Sequence, residues 1–190
     1  MSPVPESMPD AAPLGAADAI AAYVRAKDFN RPHAFARAFA PDARLRMQLR
    51  TTAIAFPSEA LGRDAIAETL VRRFNQVWEN IVTVCIGPAP AGSPESFSCD
   101  WLVAMSAKAD GGVHAGCGRY DWRFDPATGR VAELHITIAE MEPIAGGATT
   151  LLDWAGALPW PWCPRERLVE GAPSHQRLQR VLAALSNTGD

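Results

Sequence analysis

The feature that most limits how this chain can fold is an alternation running through its middle third. In SFSCDWLVAMSAKA, Phe97, Cys99, Trp101, Val103 and Met105 share one parity, against Ser98, Asp100, Leu102 and Ala104 on the other. In GRYDWRFD, Tyr120, Trp122 and Phe124 alternate with Arg119, Asp121 and Arg123, and RVAELHITIAEME repeats the pattern with Leu134, Ile136 and Ile138. Period two means strands with two unlike faces. Asp110-Gly111-Gly112 and residues 126–129 are turns short enough to join these strands as antiparallel neighbours. A meander with a continuous apolar face needs a second layer to cover that face.

The covering layer is predicted upstream. Residues 16–28 are Ala-rich, with Ala17, Ile20, Ala21 and Val24 at helical spacing. Asn30 and Pro32 suit the start of a second helix, which carries Phe35 and Phe39 and stops at Pro41. ARLRMQLR alternates as a strand, with Leu45, Met47 and Leu49 inward and Arg44, Arg46, Gln48 and Arg50 outward; TTAIAF is expected to extend or pair with it. GRDAIAETLVRRFNQVW reads as a third helix with Ile66, Leu70, Phe74 and Val77 on one side, and IVTVCIG as a short strand. Helices first and sheet later give an α+β domain, an antiparallel meander with three helices from the N-terminal half.

The division expected from this pass is a disordered Pro-rich leader over 1–14, one domain over 15–144 and a C-terminal extension over 145–190 that ends in a short helix. Trp154, Trp160 and Trp162 fall in that extension and are half of the chain's tryptophans; Pro159 and Pro161 hold the segment extended. Such aromatics are costly to leave in water, so most are expected to be buried. The extension has three possible places: over the mouth of the cone as a lid, on the outer face of the sheet at a subunit contact, or simply over exposed apolar surface.

Charge excludes some partners. With 18 basic and 21 acidic residues and no basic run, nothing in the chain attracts nucleic acid. No apolar run reaches the roughly 18 residues of a membrane span, and the first residues lack the pattern of a signal peptide. Cys85, Cys99, Cys117 and Cys163 form no CxxC pair, and the four histidines no HxxxH. A cytoplasmic protein with reduced, buried thiols and no metal or other cofactor is the expectation.

The order of helices, strand, helix and long antiparallel strands resembles the nuclear-transport-factor-2-like superfamily, which includes ketosteroid isomerase, scytalone dehydratase, limonene epoxide hydrolase and the SnoaL-like polyketide cyclases. The resemblance spans about residues 15–142 and is carried by FAPDARL, GRDAIAETL and GRYDWRFDPATGRVAELHI. It implies a conical sheet whose concave face and helices enclose a cavity, with Tyr120, Trp122, Phe124, Leu134, Ile136 and Ile138 turned inward. It does not fix a chemistry, because one fold carries many.

Carrying the family's catalytic groups across residue by residue leaves gaps. The segment that supplies the isomerase's base holds no carboxylate near Thr52 and Ala53, and Glu59 lies too close to the helix. The oxyanion-hole position on the hairpin is Tyr120, a hydrogen-bond donor. The hydrolase's Asp-Arg-Asp set has its candidates in Asp100, Arg119 and Asp121, all on the outer parity, where an ion-pair ladder is the plainer reading. His114 shares the parity of Tyr120 and is the candidate acid or base; His135 should face out. Cys99 and Cys117 read as core fillers.

The expected pocket is walled by Phe97, Trp101, Met105, Tyr120, Trp122 and Ile136. These six are as consistent with a plain filled core. The reading is therefore a small-molecule-binding domain for an apolar organic molecule, expected to form a homodimer. The alternatives are a cofactor-free isomerase, dehydratase or cyclase using Tyr120 and His114, and a non-catalytic dimerisation or interaction module.

Overall fold

The computed structural model describes residues 14–146 and 148–186; the leader expected over 1–14 lies almost wholly outside the described residues. Helix α1 (Ala16–Asp28) leads through a 3₁₀ turn (Pro32–Ala34) and the short α2 (Phe35–Ala38) into strand β1 (Phe39–Leu49). A loop and the three-residue β2 (Glu59–Leu61) follow. One helical rod comes next, made of α3 (Arg63–Ala67), a π-helical stretch (Glu68–Arg73) and α4 (Phe74–Val77). Then come β3 (Trp78–Ile86), β4 (Ser96–Ala107), β5 (Val113–Phe124) and β6 (Val131–Ile144). The chain closes with α5 (Ala148–Gly156), β7 (Trp162–Cys163), α6 (Arg165–Val169) and α7 (Gln176–Ser186).

The strands form one seven-stranded sheet in the order β2-β1-β6-β5-β4-β3-β7. Strands β3 to β6 are the antiparallel meander expected from the alternation. Strand β1 joins it parallel to β6, and β7 joins parallel to β3, so the sheet is mixed. TTAIAF is neither an extension of β1 nor its partner. It is loop, and the pairing falls to Glu59–Leu61 beyond it, because Pro57 lacks the N–H that a ladder needs.

On the concave side, Cys99, Trp101, Val103 and Met105 of β4, Tyr120, Trp122 and Phe124 of β5, and Leu134, Ile136 and Ile138 of β6 join one core with α1, α2 and α3. The buried stripe of α1 is Ala16, Ala19, Ile20, Tyr23, Val24 and Lys27. Ala17 and Ala21 are only partly covered, so the helix is turned from the expected face toward the one that carries Tyr23. The third helix differs too. Its π-helical stretch has more residues per turn, so the buried stripe passes through Leu70, Val71 and Asn75, and Val77 is left 53% exposed.

The outer face of the sheet has two halves. Around Arg119, Asp121 and Arg123 it is partly open, and the alternation of sequence shows directly as alternating burial. Toward Val113 and Leu102 it is covered by the C-terminal helices, and both faces are buried. Val84, Ile86, Leu102, Ala104, Val113, Ala115 and Ile144 pack there with Leu151, Trp154, Leu158, Leu168, Leu178, Val181 and Leu185 in a second core. This places the C-terminal helices over apolar surface on the outer face and not over the cone mouth. Trp154 is buried, while Trp160 and Trp162 are half-buried where the chain wraps the β3 edge.

Candidate functional site

Helix α1 and the strands facing it meet at the chain's two tyrosines. Tyr23 and Tyr120 are both buried, their rings edge-to-face at 5.8 Å, and the Tyr23 hydroxyl donates to the Tyr120 oxygen at 3.4 Å. Phe35, Phe39 and Trp122 also meet Tyr23 edge-to-face, and Trp101 stacks on Tyr120 with ring centres 5.5 Å apart. Gly118, on the strand beside Trp101, makes room for that stack: a Cβ there would lie 2.8 Å from the Trp101 ring and 1.9 Å from the Thr137 carbonyl oxygen.

Beside the tyrosines lies a cavity of about 40 Å³. Its walls are almost all apolar: Met47, Leu70, Trp101, Val103, Ile136, Ile138 and Met141, with Ile54, Phe56 and Phe74 toward the surface. A void of this size holds two or three waters or a few non-hydrogen atoms. The polar lining is short: the two tyrosines, Lys27 and Thr83. The loop left over from TTAIAF therefore has a place in the site, since Ile54 and Phe56 close the cavity on that side and Phe56 stacks on Phe74 at 6.0 Å.

Lys27 and Asp28, the last residues of α1, form a buried ion pair, Nζ to Oδ1 2.6 Å, with side chains 8% and 2% exposed. Thr83 on β3 locks the pair. Its hydroxyl accepts from Lys27 Nζ at 2.8 Å and donates to Asp28 Oδ1 at 2.9 Å, while its backbone N–H donates to Asp28 Oδ2 at 2.8 Å. Burial pushes the Asp28 carboxyl above the usual carboxylate range, against the pull of the Lys27 ammonium and of the hydrogen bonds from Lys27 and Thr83.

Of the residues picked out from sequence, Trp101, Tyr120 and Ile136 line the cavity. Met105 and Trp122 are buried core fillers outside its lining. Phe97 does not line the cavity; its ring meets Trp162 edge-to-face, ring centres 6.0 Å apart. His114 does not reach the cavity. Its ring meets Trp78 edge-to-face at 4.8 Å and its Nδ1 lies 3.4 Å from the Gly112 carbonyl, at the start of β5 and six residues before Tyr120. Asp100, Arg119 and Asp121 stand on the outer face as a ladder, with Arg119 3.1 Å from Asp121 and 3.7 Å from Asp100. His135 lies 3.8 Å from Asp121 on that same face. Tyr23, Lys27, Asp28 and Thr83 were missed. The available signal was the spacing 20, 23–24, 27 along α1, which puts Tyr23 and Lys27 on the stripe of Ile20 and Val24.

Burial raises both phenols far above their ordinary pKa of 10, with the Tyr23–Tyr120 contact adding to the rise at Tyr120. A raised folded pKa means stability that is complete below the unfolded pKa near 10 and is lost as pH climbs from there. Because these are the chain's two tyrosines, absorbance at 295 nm is expected to show no phenolate until the protein unfolds above pH 10. A reversible titration near pH 10 in folded protein would place one hydroxyl in water.

No family model and no curated protein matches the chain. Solved structures do. A nuclear-transport-factor-2-like protein of Burkholderia thailandensis superposes with a TM-score of 0.52 at 15% identity, over 68% of this chain and 92% of that one. A protein of Catenulispora acidiphila with a ketosteroid isomerase-like fold, in complex with trimethylamine, superposes with a TM-score of 0.50 at 17% identity, over 63% and 83%. The fold is that of the nuclear-transport-factor-2-like proteins, α+β with a mixed sheet curved over its helices. No specific activity comes with it. Among the described residues no helix is long and apolar enough to cross a membrane.

Proposed function

We propose that residues 15–144 form a small-molecule-binding domain whose ligand has an apolar body and one polar atom that meets the Tyr23–Tyr120 pair. The supporting observation is the cavity itself: apolar walls, and hydroxyls at one place. Tyr23 donates to Tyr120, which leaves the Tyr120 proton for a ligand oxygen or nitrogen. The trimethylamine held by the Catenulispora protein is a ligand of similar scale. Four buried, unpaired cysteines are in keeping with a cytoplasmic setting. A homodimer formed through the open half of the outer face, around Arg46, Arg119, Asp121 and His135, belongs to the same proposal.

A native mass spectrum of the purified protein tests it. The expected result is a dimer that releases a small organic mass on activation, with Tyr120→Phe weakening that ligand about tenfold for one lost hydrogen bond. A monomer with an empty cavity, and no melting shift with small polar-tipped organics, would remove the reading. A catalytic version, a cofactor-free isomerase, dehydratase or cyclase, is favoured by one feature. The carboxyl of Asp28, with its raised pKa, lies outside the cavity lining but is bonded to two residues that form it, Lys27 and Thr83, through which an acid–base group can act. In that version Tyr120 donates to the substrate and Asp28 takes the part sequence had given to His114.

A further inference from the structure

Lysine is scarce in this chain. Lys27 and Lys108 are its two lysines against sixteen arginines. Lys108 serves a plain structural need, donating to the Asn75 carbonyl at the end of the third helix at 2.7 Å. Lys27 sits where a permanently charged arginine would be least at home. Its side chain lines the apolar cavity, and its Nζ lies between two other lining residues, 2.8 Å from Thr83 Oγ1 and 5.2 Å from the Phe74 ring centre. Lysine differs from arginine in one chemical respect that matters here: once buried it can lose its proton and become a nucleophile.

We propose that Lys27 forms a Schiff base with a small aliphatic aldehyde or ketone held in this cavity, a proposal that rests on the small-molecule reading above. The neighbours supply what that step needs. Asp28 Oδ1, 2.6 Å away, accepts a proton from the ammonium and leaves a neutral amine and a neutral carboxylic acid. An apolar wall lessens the penalty for that transfer, since it removes two buried charges, and the raised pKa of Asp28 acts in the same direction. The nitrogen lone pair then attacks the carbonyl carbon. The C=O π pair moves to oxygen, which takes up the proton the nitrogen gives up, and a carbinolamine results. Asp28 returns its proton to the hydroxyl, the C–O bond breaks, water leaves and the nitrogen lone pair closes the iminium. The balance is one carbonyl compound and one ammonium going to one iminium and one water, with no oxidant or reductant. Thr83, bonded to both groups, holds the amine and the acid in register throughout. The cavity of about 40 Å³ limits the partner to a few carbon atoms.

The scarcity of lysine makes the test clean. The intact protein is incubated with propanal, and separately with acetone, in the presence of cyanoborohydride, which reduces iminium ions to stable secondary amines; peptide mass mapping then reads Lys27, Lys108 and the N-terminal amine. Lys27 is expected to be alkylated about tenfold faster than Lys108 in spite of its burial. The double variant Lys27→Met/Asp28→Leu is the second protein measured. It is expected to keep the slow labelling of Lys108 and to lose the fast phase. Alkylation of Lys108 and the N-terminus with Lys27 untouched, in a protein that still releases a small mass on gentle activation, overturns the Schiff base and leaves the pocket standing. Neither label at Lys27 nor any releasable mass overturns both.

Discussion

Lys27→Met is expected to cost about 3–5 kcal/mol of folding stability, the usual effect of leaving one member of a buried ion pair alone. Asp28 is then a carboxylate with its side chain 2% exposed, and its remaining partners are the N–H and hydroxyl of Thr83. Part of the loss is relieved by protonation, so the variant should be least deficient in acid and should fall further behind the native protein as pH rises through the raised Asp28 pKa. The sign follows from linkage: a carboxyl held above its unfolded pKa contributes stability that is present below that unfolded value and lost on the way up. Lys27→Met/Asp28→Leu should recover most of the loss, because the pair's mutual attraction is spent largely against the cost of burying both charges. Urea unfolding of the native protein and the two variants reads this directly. A single variant as stable as the native protein at neutral pH would mean that water reaches Asp28, and the cavity would then be wet. Should the double variant be stable yet unable to hold a ligand, the pair is present for the site and not for the fold.

The sequence carried the sheet better than the site, and the reason is periodicity. Tyr120, Trp122 and Phe124 declare their face because a strand repeats every two residues and Arg119, Asp121 and Arg123 mark the other side. A thirteen-residue helix with six alanines declares its face poorly. Ala17 and Ala21 are as apolar as Ala16 and Ala19, so the stripe could be drawn on either, and only the bulk of Tyr23 separates them. Lys27 and Asp28 carry no local sign of burial, because a cation at a helix C-terminus is what the helix dipole favours anyway. Nothing local says that Thr83, 55 residues beyond Asp28, supplies the N–H and hydroxyl that make their burial tolerable. His114 was misjudged for the opposite reason. Its parity is that of Tyr120, but parity fixes a face and not a distance along the strand, and at that end the partner is Trp78. Leu102 and Ala104 share the outer parity of Asp100 yet are buried, and parity cannot show it, since what covers them comes from Leu151 onward.

Removing residues 150–190 should leave a chain that aggregates, or that melts far below the native protein. The segment takes away Leu151, Trp154, Leu158, Leu168, Leu178, Val181 and Leu185, and with them the cover over Val84, Ile86, Leu102, Val113 and Ile144. Each of those five sheet residues stands to lose about 1.5–3 kcal/mol of burial, a sum comparable with the 5–15 kcal/mol that separates most folded domains from unfolding. Asp100 loses Arg165 as well, an ion pair of 2.9 Å, and keeps Arg119 at 3.7 Å. What remains is a contiguous apolar patch on a sheet, with β3 stripped of β7 and turned into an open edge. Two causes are mixed in that failure, the patch and the loss of the fold, and they can be separated. Ile86→Thr, Leu102→Thr and Val113→Thr in the shortened chain cut the patch without touching the cavity, whose lining comes from α1, the third helix, the loop at Ile54 and Phe56, and the concave face of the sheet. If that chain is soluble and still takes up the cavity's ligand, the extension is a cover for the outer face and the domain over 15–144 binds by itself. If it is soluble but binds nothing, the extension also shapes the site from outside. The route for such an effect runs along β3: Cys85 N–H bonds the Pro161 carbonyl at 2.7 Å, Trp162 pairs with Cys85, and Thr83, two residues back on the same strand, grips both Lys27 and Asp28.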